Sequence, residues 1–384
     1  METKKPGESR RENIEELTGL RGVAALFVLL SHFVLLAPQL RETSANLYLR
    51  HFGVVGMSLF FTLSGFVIYY NYAERICQDP RGGIKKFLIA RFARLYPLYF
   101  VFVVGGFLLN LLFSHFNLNS FSANLVSLPA YLLGVQSWFY GYVNGIPLIF
   151  LQGFVNISWS ISAELALYLF FLPFAFIRIG SLKKVAFLCG LVLLGRCLYV
   201  YLSYFGFQGI SIGGMIDSRI IPHQGYYGWI WLVYHSPYGR IFEFLVGCLS
   251  AKFYLLNNNK FKSFFKVLAL FSIVLLSLNV MDVIKFELSD HLLIPLSLML
   301  FVFSVVQCRS KILRTKFLLF IGEISYSTYL LHIVFVQVLS YTGSDYSMIF
   351  LRICVLVVAT YVTAYFSYKY IENPARRFIR ARFH

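Results

Sequence analysis

Apolar runs long enough to cross a membrane recur along the whole chain, and they limit what it can fold into. The sequence has 384 residues, of which 58% are hydrophobic and 13% charged, whereas a soluble globular protein has roughly 25% charged residues. A helix of this kind spans the ~30 Å hydrocarbon core because it satisfies its own backbone hydrogen bonds. We place ten spans, at residues 20–36, 53–72, 96–115, 158–177, 185–205, 238–256, 264–281, 288–307, 317–340 and 347–370. The sequence therefore predicts an all-α, polytopic membrane helical bundle.

The basic residues indicate how this bundle is oriented. The net charge is +17, but Lys and Arg occur in short clusters between the apolar runs, which is typical of membrane topology and argues against nucleic-acid binding. With a cytoplasmic N-terminus, the cytoplasmic segments hold 23 Lys and Arg and the outer segments 4. We therefore expect a multi-pass protein of the cell inner (cytoplasmic) membrane with both termini cytoplasmic. The predicted parts are a cytoplasmic segment 1–19, a transmembrane domain 20–370 and a basic cytoplasmic tail 371–384.

The two longest outer segments leave alternatives open. Residues 116–157 could hold a re-entrant hairpin or an interfacial helix, and two extra crossings there would leave the side of the termini unchanged. Residues 206–237 lead into the aromatic stretch "GYYGWIWLVYHSPYGR". Such a stretch fits an aromatic belt at the headgroup level, or a set of platforms for an acceptor such as a sugar ring.

The first run carries two ionisable residues, within "LTGLRGVAALFVLLSHF" at residues 17–33. Arg21 and His32 are eleven residues apart, which is almost three helical turns, so both side chains point to one face roughly 16 Å apart. Ionisable groups inside a bilayer are costly and usually face a protein interior or a wet cavity. Arg21 could instead snorkel to the inner interface, and His32 could make a structural interhelical hydrogen bond. Their shared face favours one polar track through the bundle.

Seven segments, in order, resemble the membrane-bound acyltransferase-3 family. They are "LTGLRGVAALFVLLSHF", "GVVGMSLFFTLSGFVI", "RFARLYPLYF", "WSISAELALYLFF", "FEFLVGCLSA", "ISYSTYLLHIVF" and "YIENPARRF". The resemblance implies transfer of an acyl group, usually acetyl, from cytoplasmic acyl-CoA to an acceptor hydroxyl, often on a carbohydrate. Two positions depart from the family pattern: Thr18 stands where an Asp is common, and Ala90 replaces the first of two arginines. Some members carry an appended extracytoplasmic hydrolase-like domain, and we expect none here because the chain ends soon after its last span.

An acyl transfer needs a base for the acceptor hydroxyl, and the depth of each side chain suggests one. His32 lies roughly 18 Å from the inner edge, and Glu164 in the fourth span lies about 20 Å from it. A carboxylate beside a histidine fixes its tautomer and stabilises the imidazolium that forms. We therefore predict His32 as the catalytic base and Glu164 as the group that orients it. The alternative for Glu164 is a structural hydrogen bond to another helix.

The acyl-CoA donor should bind to basic residues on the cytoplasmic side, because CoA carries several phosphate charges. Arg91 and Arg94 precede the third span and are three residues apart, hence on one helical face. Arg21 enters the membrane from the same side. A guanidinium group suits phosphate through its rigid, permanently charged fork. We predict that these three arginines bind the donor, the alternative being ordinary positive-inside charge.

Three further residues are candidates for substrate contact. Ser64 lies in mid-span beside Gly65, where it could serve close helix packing or donate a hydrogen bond to the acyl carbonyl. Trp159 begins the fourth span and could be an interfacial anchor or a stacking platform for the acceptor. His332 in the ninth span lies roughly 22 Å deep, close to the depth of His32, and could act on the acceptor side or pack in the core.

The sequence thus predicts an integral-membrane O-acyltransferase acting on a carbohydrate or glycolipid, such as a cell-surface polysaccharide. The acyl group could pass directly to the acceptor or through a covalent enzyme intermediate. The rival prediction is a transporter or flippase, because polar residues at mid-depth also describe a substrate path. The expected partners are the lipid bilayer, acyl-CoA and a carbohydrate acceptor, with no nucleic acid. We expect no metal site, because no cysteine pair has metal-ligand spacing.

Overall fold

Each of the ten predicted spans coincides with a helix or a pair of helices. The computed structural model describes residues 12–37, 43–113, 118–143, 146–208, 228–257, 262–281, 289–341 and 346–383, so most of the predicted segment 1–19 and residues 209–227 lie outside the described residues. The helices are α1 (Glu15–Ser31), α2 (Ser44–Gln78), α3 (Pro80–Phe113), α4 (Leu118–Leu133), α5 (Trp159–Ala175), α6 (Leu182–Gln208), α7 (Pro237–Leu256), α8 (Lys262–Val280), α9 (Ser289–Cys308), α10 (Lys316–Glu323), α11 (Ser325–Ser340), α12 (Ile349–Ser367) and α13 (Asn373–Phe383). The predicted helical membrane bundle is confirmed.

The helices differ in how well their composition suits a membrane. Within the described ranges, eight are long and apolar enough to cross one, and α10 with α11 makes a ninth if the bent pair counts as one span. The helix α7 occupies the predicted span 238–256 but carries Arg240, Glu243 and Lys252 within twenty residues. Two of these residues, Arg240 and Glu243, form a buried ion pair at 2.8 Å. The pair places these two charges inside the bundle, away from lipid. The count of ten crossings stays a prediction.

The ninth predicted span, 317–340, is broken rather than continuous. α10 and α11 are bent by 68° at Ile324. Gly322 and Ser325 flank the break, and the Ser325 hydroxyl donates to the Gly322 carbonyl at 2.8 Å, a combination of residues at which helices commonly kink. Both halves pack against α1. The bend therefore keeps α10 beside α1 while it turns α11 into the bundle.

Glycine residues allow α2 to approach its neighbours closely. The helix α2 has 35 residues, about 52 Å at 1.5 Å per residue, and packs against α1, α3, α5, α7 and α9. A Cβ atom built on Gly65 would overlap the carbonyl oxygen of Phe244 on α7, and one built on Gly247 would overlap that of Thr62. Small residues at a crossing are how membrane helices gain close contact. This crossing fixes the position of Ser64, the neighbour of Gly65.

The outer segment 116–157 contains one short helix and one short hairpin. α4 has 16 residues, about 24 Å, which is less than the ~30 Å of a hydrocarbon core. The strands β1 (Tyr142–Val143) and β2 (Ile146–Pro147) pair antiparallel. A 3₁₀ segment, Gly153–Ser158, then leads into α5. The segment therefore adds no helix long enough to cross the membrane among its described residues.

Candidate active site

Five of the eight predicted site residues line one cavity. Side chains from α1, α2, α3, α5 and α11 surround an empty volume of about 620 Å³. Its polar residues are Arg21, Ser64, Arg91, Arg94, Ser160, Glu164, Ser325, Tyr326 and Tyr329, and its apolar residues are Met57, Phe60, Phe61, Leu95 and Ile161. A concave site with a few convergent polar groups inside an apolar scaffold is the usual form of a small-molecule site.

Three arginines give this cavity a positive charge. Arg91 is 7% exposed; its Nη2 donates to the Tyr72 hydroxyl at 3.4 Å, and its guanidinium lies 5.2 Å from the Tyr72 ring centre. Arg21 interacts electrostatically with Arg91, Arg94 and Glu164. The structure thus brings the three predicted donor-binding arginines together around one carboxylate. Such an excess of fixed positive charge suits an anionic ligand with several oxygen acceptors.

The carboxylate of Glu164 is held by two hydroxyl groups. Ser64 Oγ and Tyr168 Oη each donate to Glu164 Oε1 at 2.7 Å. Because Ser64 has one O–H and gives it to Glu164, it has no proton left for the acyl carbonyl in this arrangement. The structure therefore makes Ser64 a partner of the carboxylate, while Gly65 provides the close packing.

His32 and His332 meet at the end of α1. The α-helix ends at Ser31, and His32 begins a 3₁₀ turn (His32–Leu35) rather than continuing the helix to residue 36. His332 Nε2 lies 3.4 Å from His32 Nδ1, and the ring centres are 4.9 Å apart. His32 Nδ1 also lies 2.8 Å from the Val28 carbonyl oxygen, and His332 Nδ1 lies 3.2 Å from that of Thr328. The sequence predicted similar membrane depths for His32 and His332, and in the structure the two side chains are in contact.

The structure does not bring His32 and Glu164 together. Among the described residues, Glu164 bonds to Ser64 and Tyr168, and His32 interacts with Val28, Ser31 and His332. Depth is one coordinate only, and α2 packs against both α1 and α5. The predicted orientation of His32 by Glu164 is therefore corrected: the Val28 carbonyl and His332 orient the ring. The catalytic roles of both residues stay predictions.

Tyr329 connects the cavity to the histidine pair. It lines the cavity, and its ring centre lies 5.9 Å from that of His332. Its hydroxyl hydrogen-bonds the Ser160 hydroxyl at 2.6 Å and donates to the Ile157 carbonyl at 3.0 Å. The polar residues thus continue from the arginines past Tyr329 to His332 and His32, along α11 rather than along α1 alone.

Trp159 lies in a neighbouring cluster and not in the cavity wall. It is 5% exposed, and its ring lies 5.6 Å from the guanidinium of Arg240 and 4.8 Å from the ring of His235. The same guanidinium lies 4.1 Å from the ring of Tyr234. Trp159 therefore packs inside the bundle beside Arg240 and His235 rather than in the wall of this cavity. Its predicted role in binding the acceptor stays a prediction.

Sequence reasoning missed four tyrosines of the site. Tyr168 follows Glu164 by four residues, which is one helical turn, so the spacing alone could have indicated the bond. Tyr326, whose hydroxyl donates to the Leu95 carbonyl at 2.7 Å, and Tyr329 lie in a tyrosine-rich stretch without a distinctive motif. Tyr72, the partner of Arg91, lies on another helix, and no local pattern points to it. In the part of the chain that the structure describes, no group of three metal-binding side chains is found.

Comparisons with known proteins find a family model and several relatives that are all described as acyltransferases or acetyltransferases. Residues 14–369 match the family model described as an acyltransferase domain. The chain is 24% identical over 388 residues to the peptidoglycan O-acetyltransferase OatA of Listeria monocytogenes, covering 96% of this chain and 56% of that protein. It is 28% identical over 253 residues to the acyltransferase MdmB of Streptomyces mycarofaciens, covering 62% and 57%. A putative peptidoglycan O-acetyltransferase of Bacillus subtilis, YrhL, is 23% identical over 383 residues, covering 94% and 55%.

The chain spans little more than half the length of these three relatives. No solved structure matches it.

Proposed function

Because the chain belongs to the acyltransferase-3 family, whose model it matches over residues 14–369, we propose that it is an integral-membrane O-acyltransferase. It moves an acyl group, by default acetyl, from cytoplasmic acyl-CoA to a hydroxyl of a carbohydrate or glycolipid. Two relatives are named as established or putative peptidoglycan O-acetyltransferases, which supports an acetyl group and a carbohydrate acceptor. The proposed location is the inner membrane, with the bilayer as the constant partner.

The observation that carries this proposal is the convergence of Arg21, Arg91 and Arg94 in one cavity. A CoA thioester is recognised through its phosphates, and arginine binds phosphate oxygens in paired, charge-assisted hydrogen bonds. A mainly apolar bundle would not otherwise gather three guanidinium groups, because unpaired charge inside a membrane is costly. Glu164 lines the same cavity, where its carboxylate interacts electrostatically with Arg21 and Arg91 and limits the net charge.

The proposed base is His32, and the hydrogen bonds indicate which nitrogen acts. The Val28 carbonyl can only accept, so His32 Nδ1 at 2.8 Å carries the proton. By the same argument His332 Nδ1 donates to the Thr328 carbonyl, which leaves His332 Nε2 as an acceptor towards His32 Nδ1. His32 Nε2 then holds the free lone pair that a general base needs.

The transfer follows from this assignment. His32 Nε2 takes the proton of the acceptor hydroxyl while its oxygen attacks the thioester carbonyl carbon. The C–O bond forms, the C–S bond breaks, and CoA leaves as the thiolate, which takes the proton back from His32 Nε2. The Val28 carbonyl, which accepts the His32 Nδ1–H at 2.8 Å, stabilises the imidazolium while it exists. A path through a covalent acyl-enzyme uses the same donor cavity and stays open.

The test measures CoA binding to the full chain purified into lipid discs and, separately, acetyl transfer in cells that express the full chain. Arg91→Gln should weaken CoA binding about tenfold or more, the size of a charge-assisted hydrogen bond. The matched control is Arg81→Gln, because Arg81 lies on the same helix and is exposed. His32→Ala should bind CoA within about twofold of wild type, while acetyl transfer falls by about 10²–10⁴.

Transfer is read as an acetyl increment on cell-surface glycans, measured by mass spectrometry in cells that express either chain. Equal acetylation by wild type and His32→Ala would rule out His32 as the base. A wild-type protein that binds no CoA would contradict the donor assignment and favour the rival class of transporter or flippase.

A further inference from the structure

The C-terminal helix α13 lies beside the arginine end of the cavity. A π-helical turn, Tyr368–Glu372, connects it to α12, and α13 packs against α3, the helix of Arg91 and Arg94. Arg380 on α13 is half-buried and interacts electrostatically with Tyr72, Arg91 and Arg94. Arg382, two residues further and on the opposite face of the helix, is exposed.

Two guanidinium nitrogens at this junction are buried without a partner. Among the described residues, neither Nε of Arg91 nor Nε of Arg380 has a hydrogen-bond acceptor. The Arg91 side chain is 93% buried, being 7% exposed. Leaving a buried N–H of a charged group unpaired is destabilising, so native proteins rarely do so without a ligand or water. Because α13 packs against α3 and the two guanidinium groups interact electrostatically, we take both nitrogens to be open to one acceptor that has several oxygens.

The charges nearby favour an anion as that acceptor. Arg380 interacts electrostatically with Arg91, Arg94 and Arg376, and like charges repel unless an anion offsets them. Among the described residues, neither carboxylate at this end is hydrogen-bonded to Arg91 or Arg380: Glu164 accepts from Ser64 and Tyr168. Glu372 accepts from Ser327 at 3.0 Å and interacts electrostatically with Arg94 and Arg376. Tyr72 of α2 offers a hydroxyl that accepts from Arg91 Nη2 at 3.4 Å.

We propose that Arg380 of α13, Arg91 of α3 and Tyr72 of α2 form an anion subsite that binds a phosphate group of the acyl donor. The tail helix is then part of the donor site and not merely a basic segment at the membrane surface. This inference rests on the proposed function, because it takes the donor to be a phosphate-bearing thioester. The same chemistry would also accept the phosphate of a lipid headgroup, which the experiment separates.

The experiment measures CoA binding to the full chain in discs of zwitterionic phosphatidylcholine. Arg380→Gln should weaken CoA binding about tenfold, whereas the matched control Arg382→Gln should stay within about twofold. Pantetheine, which lacks the phosphates, should bind equally to wild type and both variants, a result that a general loss of structure would not give. Arg380→Lys, which keeps the charge, should recover part of the affinity.

Each outcome separates the subsite from the function on which it rests. If wild type binds CoA and Arg380→Gln binds it equally well, the subsite is wrong and the proposed function stands. If wild type binds no CoA, the proposed donor itself fails. If the loss is absent in phosphatidylcholine and arises only in discs with anionic phosphatidylglycerol, the subsite holds lipid phosphate and the assignment to the donor is overturned.

Discussion

At the scale of single residues, the orientation of Glu164 depends on two hydroxyl groups that bond the same oxygen. Ser64 and Tyr168 both donate to Oε1 at 2.7 Å, a length typical of strong hydrogen bonds to a charged oxygen. The two donors come from different helices, α2 and α5, and therefore hold the carboxylate across the helix interface.

Removing either hydroxyl should impair acetyl transfer, and the two losses should not add. Ser64→Ala and Tyr168→Phe should each lower the transfer rate about tenfold, because each removes a hydrogen bond to a charged group. The double variant should lose less than the product, since the bonds share one oxygen and such neighbours couple by 0.5 kcal/mol or more. The measurement is a double-mutant cycle on the transfer rate.

The control for this cycle is Tyr201→Phe, because Tyr201 on α6 is 54% exposed and should tolerate the change. Losses that add within ~0.3 kcal/mol would show that the two hydroxyls act independently.

At the scale of helices, the bundle depends on a few positions where backbones nearly touch. Gly65 of α2 faces the Phe244 carbonyl of α7, and Gly22 of α1 faces backbone atoms of α10. In lipid there is no hydrophobic force between helices, so close contact and interhelical hydrogen bonds provide the association. Each such glycine also determines which side chains beside it point into the cavity.

Gly65→Ala should destabilise the protein, whereas Gly105→Ala should not. A methyl group at Gly65 meets a backbone carbonyl that cannot move without shifting α7, and overpacking of this kind typically costs about 1–3 kcal/mol. At Gly105 on α3 a Cβ would meet nothing within 4 Å, and alanine is the better helix former by about 1 kcal/mol. Thermal unfolding in one detergent compares the two. Equal melting temperatures would contradict the close crossing of α2 and α7.

At the scale of the whole molecule, the features assigned to the cytoplasmic side gather at one end of the bundle. The beginning of α1 contacts the basic loop between α9 and α10 through pairs of Glu12 with Arg309 at 3.2 Å and Glu15 with Arg314 at 2.8 Å. Asp79 alone separates α2 from α3. The proposed inner end therefore combines charge clusters that are far apart in the sequence, as the positive-inside rule predicts.

Cysteine labelling tests this orientation. Ser44 and Arg81 are exposed near opposite ends of α2, so cysteines introduced there should lie on opposite sides of the membrane. In a chain whose exposed Cys77 and Cys197 are replaced by alanine, Ser44→Cys should react with a membrane-impermeant maleimide when the outer face of the membrane is accessible. Arg81→Cys should react only after permeabilisation. The reverse pattern would invert the predicted topology.

The class of fold, the approximate position of the ten predicted spans and most of the charged end of the site followed from the sequence alone, whereas α13 was predicted only as a basic tail and α4 was left open. Helix period and apolar length are local properties, so the spacing of Arg91 and Arg94 and the matching depths of His32 and His332 could be derived without a structure. The seven motifs also indicated the acyltransferase-3 family, and the match over residues 14–369 confirms that membership.

Which helices are neighbours could not be derived from the sequence and follows from the packing of the bundle. Depth gives a position along the membrane normal, whereas contact also requires a lateral position, which depends on packing between helices distant in sequence. For that reason His32 meets His332 and not Glu164, and Trp159 packs beside Arg240 rather than in the cavity. The break at Ile324 and the return of α13 to Arg91 depend on the same packing. The arginine and the histidine of the first span thus belong to one polar path, whose other members come from four different helices.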